Sequence, residues 1–203
     1  MTEQISIYGD SRSGNCYKLQ LVCAQLQIEY DWHETDVMKG ETRTAQFLAM
    51  NPNGRVPLVT LADGRHLSES NAILWYLANG SELLGKTPYE SANILRWMFF
   101  EQYSHEPFIA VSRFIVKYLG SPPDRQAELE AKKEGGLMAL DVMERELGEH
   151  DFIANDRYSI ADIALYAYTH TAHEGNFDLS GYANINAWLE RVAGQPRFIP
   201  MRA

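Results

Sequence analysis

Three short stretches carry side chains whose types and spacing suit work on a small anionic ligand. The first is Ser68-Glu69-Ser70, just ahead of an apolar helical pattern in Ile73, Leu74 and Leu77. A helix start offers free N–H groups and the positive end of the dipole, which suit a carboxylate, and the Ser70 hydroxyl adds a donor. Glu69 accepts from an ammonium, so the pair fits an α-amino acid head group. The same three residues also fit a plain helix cap, with Ser68 at the N-cap position. The second stretch is the loop Ser11-Arg12-Ser13-Gly14-Asn15-Cys16, which places hydroxyls, an amide and a thiol ahead of a second helical pattern. The third is Arg55-Val56-Pro57, where a cation adjoins a proline after the turn Asn51-Pro52-Asn53-Gly54.

These stretches must be held by the elements around them. Residues 4–8, QISIY, alternate as a short strand, with Ile5 and Ile7 on one face. Leu19, Val22, Cys23 and Leu26 mark one face of a helix from about Asn15 to Gln27, and Tyr30, Trp32 and His33 suggest a second strand. A shorter helix runs from Thr42 to Met50 with Phe47 and Leu48 inward. Leu58–Leu61 and Arg65–Leu67 read as a hairpin around Asp63-Gly64. A helix from Ser68 completes βαβ–α–ββα across residues 1–79. In an open sheet of this kind, ligands sit outside the strand ends where the loops meet.

Residues 80–88 read as a linker, and beyond it the pattern is helical through 89–203. The segment from Tyr89 to Leu119 is one long helical run that Pro107 should kink. Asp124 reads as a cap for a helix ending near Leu147. Ser159 with Asp162 forms a capping box ahead of the apolar run IALYAY, and Ala183–Ala193 is a last helix.

Composition narrows the partners. The 203 residues carry 18 basic and 27 acidic side chains, net −9, which disfavours nucleic acid and anionic membranes. Hydrophobic residues make up 45% and no apolar run approaches the ~20 residues of a membrane span. The start shows no basic-then-apolar signal. Cys16 and Cys23 lie seven apart on one helical face, where no bridge can form, so a reduced, cytoplasmic protein is expected.

The strings Arg55-Val56-Pro57-Leu58 and Glu69-Ser70-Asn71-Ala72-Ile73, with Ser159-Ile160-Ala161-Asp162 at the matching distance from the C-terminus, resemble the cytosolic glutathione transferases. The loop pattern Ser13-x-Asn15 is similar to that of bacterial theta-, delta- or nu-like members. The resemblance implies an α+β fold, a thioredoxin-like N-terminal domain followed by an all-α C-terminal domain. It implies glutathione as co-substrate with no metal, and a thiolate conjugated to an apolar electrophile. A glutathione-dependent disulfide reductase or peroxidase, and a non-catalytic binding module of the same fold, are the alternatives.

In residues, the resemblance implies a cis bond before Pro57, leaving the Val56 backbone to pair with the cysteinyl part of glutathione like an added strand. Glu69 and Ser70 would hold the γ-glutamyl head. Ser13 would donate to the thiolate, with Asn15 beside it and Ser11 as a substitute. Depressing a thiol's pKa from ~8.5 by ~2 units stabilises the thiolate by about 2.7 kcal/mol. Dithiol chemistry would need cysteines at both 13 and 16, and only Cys16 is present. Cys16 alone suits either a mixed disulfide or a small buried apolar role. Thr42 and Gly54 stand where related proteins often carry histidines for the glycyl carboxylate, so Arg55, Lys39 or Arg43 would supply the charge. Tyr103, Phe108 and Arg113 are candidates for the electrophile's pocket, between the reactive loop and the aromatic helix. A homodimer is expected, with Trp97–Tyr103 as its surface.

Overall fold

The computed structural model describes residues 5–202, so Gln4 of the first expected strand lies outside the described residues. The chain divides into two compact units. The first covers the chain to Ser81 together with the segment from Pro196; the second covers Glu82–Gln195. The expected helical region thus gives up its last residues to the first unit, where the Tyr17 hydroxyl donates to the Ile199 carbonyl at 2.7 Å.

The first unit is a thioredoxin-like four-stranded sheet, β1 (Ile5–Gly9), β2 (Tyr30–Glu34), β3 (Leu58–Thr60) and β4 (His66–Ser68), in the order β2-β1-β3-β4. The pair β1–β2 is parallel, while β1–β3 and β3–β4 are antiparallel. Helix α1 (Gly14–Leu26) connects the parallel strands, as a crossover must. Its residues from Cys16 to Cys23 are all buried, so it is packed nearly all round. The expected helix over 42–50 is a 3₁₀ turn, Glu41–Arg43, followed by α2 (Ala45–Met50). The Thr44 hydroxyl caps α2 by accepting from Phe47 N. Both expected turns form, with Gly54 at φ 62 and Gly64 at φ 83, a region glycine enters without steric cost.

Helix α3 (Ser70–Leu77) starts one residue later than expected. Ser68 belongs to β4, and the N-cap is Glu69, because the β3–β4 ladder holds Ser68 opposite Leu58.

The second unit is helical. Thr87 caps α4 (Pro88–Phe100), whose first position is the proline, where no helical N–H is needed. The expected long run is then interrupted twice by π-helical turns, Glu101–His105 and Phe114–Tyr118, around α5 (Glu106–Arg113). Pro107 lies in the first turn of α5, and the π turn ahead of it absorbs the missing donor. Asp124 does not cap the next helix. It sits in a 3₁₀ turn, Pro123–Arg125, and α6 (Gln126–Leu147) follows from Arg125.

Helix α7 (Ile160–Thr169) is buried along its whole length and α8 (Ala183–Ala193) packs beside it. The capping box at its start is filled. Asp162 Oδ2 accepts from Ser159 N at 2.9 Å and from its hydroxyl at 3.1 Å. Oδ1 accepts from Ile153 N and from the Trp188 indole, both at 2.9 Å. Burial pushes this carboxyl up to about 6 against those donors. Among the described residues no helix is long and apolar enough to cross a membrane.

Candidate functional site

Strand register brings the three stretches together. Tyr8 near the end of β1 pairs with Leu58 at the start of β3, and Leu58 pairs with Ser68 at the end of β4. The loop after β1, the Val56–Pro57 segment before β3 and the start of α3 therefore leave the sheet at one end. A hydrogen bond joins two of them, with the Ser70 hydroxyl donating to Asn15 Oδ1 at 3.1 Å.

The loop after β1 is built on Asp10. Its backbone carbonyl accepts from Ser13 N at 2.9 Å, closing the turn that makes Ser13 the N-cap of α1. Its buried carboxylate takes both ends of the Arg12 guanidinium, Nε at 2.9 Å and Nη2 at 2.8 Å, and also Val37 N at 3.3 Å. Burial alone would raise the Asp10 carboxyl, but the Arg12 side chain and the Arg12 and Val37 amides outweigh it and hold it below the usual range. Arg12 reaches on to Asp36 at 3.0 Å, so the loop is tied to the turn after β2. Ser11 N donates to Glu34 Oε1 at 2.9 Å, drawing Ser11 toward β2. Asp10 and Arg12 pair locally, but their ties to Val37 and Asp36 and that of Glu34 to Ser11 escape a sequence reading because those partners are set by strand pairing.

Ser13 is half-buried and its hydroxyl caps no helix N–H. It bonds to the Cys16 thiol instead. Cys16 is fully buried, and burial pushes its thiol up to about 12 despite that bond and one from the Asp10 backbone. A thiol held there is protonated at neutral pH, so Cys16 plays the apolar role and not that of a nucleophile.

At the far side of the site the Val56–Pro57 bond is cis, and among the described residues no hydrogen bond reaches the Val56 backbone. Arg55 is exposed, and among the described residues no ion pair involves it. Of the other cations, Lys39 pairs with Asp36 at 3.4 Å and Arg43 donates to the Asn53 carbonyl at 3.3 Å.

Glu69 departs most from ordinary geometry. It is exposed, its backbone stands at φ 69 and ψ 108, and its side chain caps nothing. A non-glycine residue held in a sparsely populated region costs about 1–3 kcal/mol, and such strain clusters at functional sites. Ser70 beside it is 5% exposed, and Lys18 Nζ lies 3.3 Å from its hydroxyl oxygen.

The three residues expected to line an electrophile's pocket differ in fate. Tyr103 is 84% exposed in the first π turn. Phe108 packs on α6, where a side chain at Gly135 would collide with its ring and Lys132 Nζ lies 5.4 Å from its centre. Arg113 is 3% exposed and donates to Glu174 and to the Tyr118 hydroxyl. Phe108 and Arg113 therefore hold the helical unit together. Similarly, Trp97 is buried, and the exposed aromatic residues of the expected dimer surface are Phe99 and Tyr103. A cavity of about 510 Å³ on the helical unit, lined by Tyr89, Asn93, Arg96 and His150 among others, includes none of the expected site residues.

Comparison with known proteins agrees with this geometry. Residues 12–79 match the model of the glutathione S-transferase N-terminal domain, and residues 99–196 that of the C-terminal domain. Glutathione S-transferase F10 of Arabidopsis thaliana is 34% identical over 83% of this chain and 82% of its own. The disulfide-bond oxidoreductase YfcG of Escherichia coli is 26% identical over 90% of this chain and 87% of its own. A crystal structure of a glutathione S-transferase from Pseudomonas fluorescens Pf-5 superposes with a TM-score of 0.95 at 52% identity, covering 97% of this chain and 98% of that one. With both domains matched and the thioredoxin-like sheet in place, the chain belongs to the glutathione S-transferase family.

Proposed function

We propose that the protein conjugates the thiolate of glutathione to small apolar electrophiles. The observation that carries this reading is the exposed, strained Glu69 at the open start of α3, set at the same sheet end as Ser13 and Asn15. In this reading Glu69 takes the γ-glutamyl ammonium and the α3 N–H groups take its carboxylate. The Val56 N–H and C=O pair with the cysteinyl backbone, and Arg55 takes the glycyl carboxylate. Ser13 donates to the sulfur. It is no base, since a serine hydroxyl titrates far above neutrality, so its work is to stabilise the thiolate with help from the α1 dipole. The thiolate then forms a C–S bond at the electrophilic carbon, with the leaving group departing with the electron pair.

A second reading is glutathione-dependent disulfide reduction, which the Escherichia coli relative named as a disulfide-bond oxidoreductase favours. Because the Cys16 thiol is buried and protonated, both electrons would come from glutathione. Two glutathione thiols would be oxidised to their disulfide while the substrate disulfide is reduced to two thiols. Two buried free cysteines fit a reducing, cytoplasmic setting. The exposed Phe99 and Tyr103 suit a homodimer surface. Light scattering at micromolar concentration tests the dimer, and a monomeric mass counts against it.

Retention on immobilised glutathione and release by free glutathione test the site. Turnover of a halogenated nitroaromatic against turnover of a glutathione mixed disulfide then separates the two chemistries. A protein that flows through the column has no glutathione site of this kind.

A further inference from the structure

Helix α1 carries a charge that the reading above leaves without a role. Lys18 stands one turn after Asn15, between Tyr17 and Leu19, and is 0% exposed. A buried ammonium persists only where polar groups replace its water. Its Nζ lies 3.3 Å from Ser70 Oγ and 3.3 Å from Asn71 Oδ1, both in the first turn of α3. The ammonium has three N–H donors and no acceptor, so it sets the direction of these bonds. Ser70 Oγ accepts from Lys18, and its single proton goes to Asn15 Oδ1. With its oxygen engaged by Ser70, the Asn15 amide turns its Nδ2 amino group to the opposite side. Asn15 lies two residues past Ser13, in the first turn of α1.

We propose that Lys18 is a positioning residue for the thiol subsite, acting through the Ser70 hydroxyl to present Asn15 as an N–H donor to the ligand's sulfur. This rests on the glutathione-site reading. It also reassigns Ser70. A hydroxyl whose proton is committed to Asn15 does not grip the γ-glutamyl carboxylate, and that contact falls to the backbone N–H groups of α3. Lysine suits the task because a neutral partner, able to accept as well as donate, would leave Ser70 and Asn15 free to reverse.

The test is the pH titration of the thiolate's ultraviolet absorbance for glutathione bound to the full-length protein, with affinity measured by calorimetry. Lys18→Met, Ser70→Ala and Asn15→Ala should each raise the midpoint by about one unit, a tenfold smaller thiolate-to-thiol ratio at a given pH. Lys18→Met added to Asn15→Ala should give no further shift, and Lys18→Arg, also a pure donor, should recover most of the wild-type midpoint. A merely structural lysine would lower the melting temperature without moving the titration, which overturns the proposal. If Lys18→Met shifts the midpoint and Ser70→Ala does not, the charge acts through space and the relay is wrong. Should Lys18→Met fail to fold, Lys18→Gln, which accepts as well as donates, takes its place: a raised midpoint to which Asn15→Ala adds nothing supports the relay, and an unmoved midpoint refutes it. A wild type that binds no glutathione overturns the site reading and this inference together. Binding with an unmoved titration in the variants overturns this inference alone.

Discussion

Two helix starts in this chain use almost the same residues and end in opposite states. At α7, Ser159 and Asp162 close on each other, and the Asp162 carboxylate takes four donors in a fully buried setting. At α3, Glu69 and Ser70 lie at an open start. Glu69 is exposed at a positive φ and its side chain caps nothing, while Ser70 faces α1 through Lys18 and Asn15. A helix N-terminus has N–H groups that must find acceptors. Where a side chain of the protein caps the start, as at α7, the start is part of the fold; where the N-cap side chain accepts nothing, as at α3, the start is where we propose that a ligand's carboxylate binds. The serine and the acid are common to both, so residue type alone does not separate them.

Breaking the closed start should have the largest effect. Asp162→Ala leaves two backbone N–H groups, an indole N–H and a hydroxyl buried without their acceptor. We expect a loss of roughly 3–5 kcal/mol of stability, read as a lowered denaturation midpoint. Wild-type stability would show that the four bonds contribute nothing net.

The same carboxylate gives a pH signature. Its folded pKa, about 6, lies above the ordinary 3.8, so the folded state holds its proton more tightly. The associated stability is fully present below about pH 4 and is lost as pH rises through about 6, a change of about 3 kcal/mol. Depressed carboxyls such as Asp10 and Glu174 act in the opposite sense and cancel in the difference between wild type and Asp162→Asn. That difference should fall between pH 4 and 6, and a flat difference would contradict the assignment.

At the open start the expected losses are in binding. Glu69→Ala should weaken glutathione by about 1.5–3 kcal/mol in calorimetry, the range of a hydrogen bond to a charged group, with the melting temperature unchanged. Equal affinity would make α3 a second plain cap.

Ser13→Ala probes the chemistry next to it. Conjugation at neutral pH should slow about 10–100-fold, or about 1.4–2.7 kcal/mol, with glutathione affinity held. The deficit should shrink as pH rises and the thiol ionises unaided. An unaltered pH–rate profile would move the role to Asn15 or Ser11.

The smallest effect sharpens the contrast. Glu69→Gly should relieve the positive φ and raise stability by about 1 kcal/mol while glutathione binding falls. No gain in melting temperature would mean that Glu69 stores no strain.

The sequence alone determined what depends on neighbours along the chain. The capping box at Ser159, the proline start of α4 and the glycines at 54 and 64 follow from residue type and spacing, because each satisfies its own backbone within a few residues. The strings around Val56-Pro57 and Glu69-Ser70 were legible only as contiguous residue patterns that resemble the family's, since their polar partners lie far away in the chain or are not supplied by it. Local patterns misplaced the α3 cap by one residue, because strand pairing claimed Ser68. They also gave Asp124 to a helix that a 3₁₀ turn begins. Only the tertiary structure decided which polar groups meet. Arg113 looked like a pocket residue until Glu174, 61 positions away, took it. Cys16 was open to two roles until burial pushed its thiol up to about 12. The meeting of Lys18 with Ser70, 52 positions apart, is fixed by the packing of α1 on α3. A side chain's role depends on what replaces its water, and that is settled when distant elements pack.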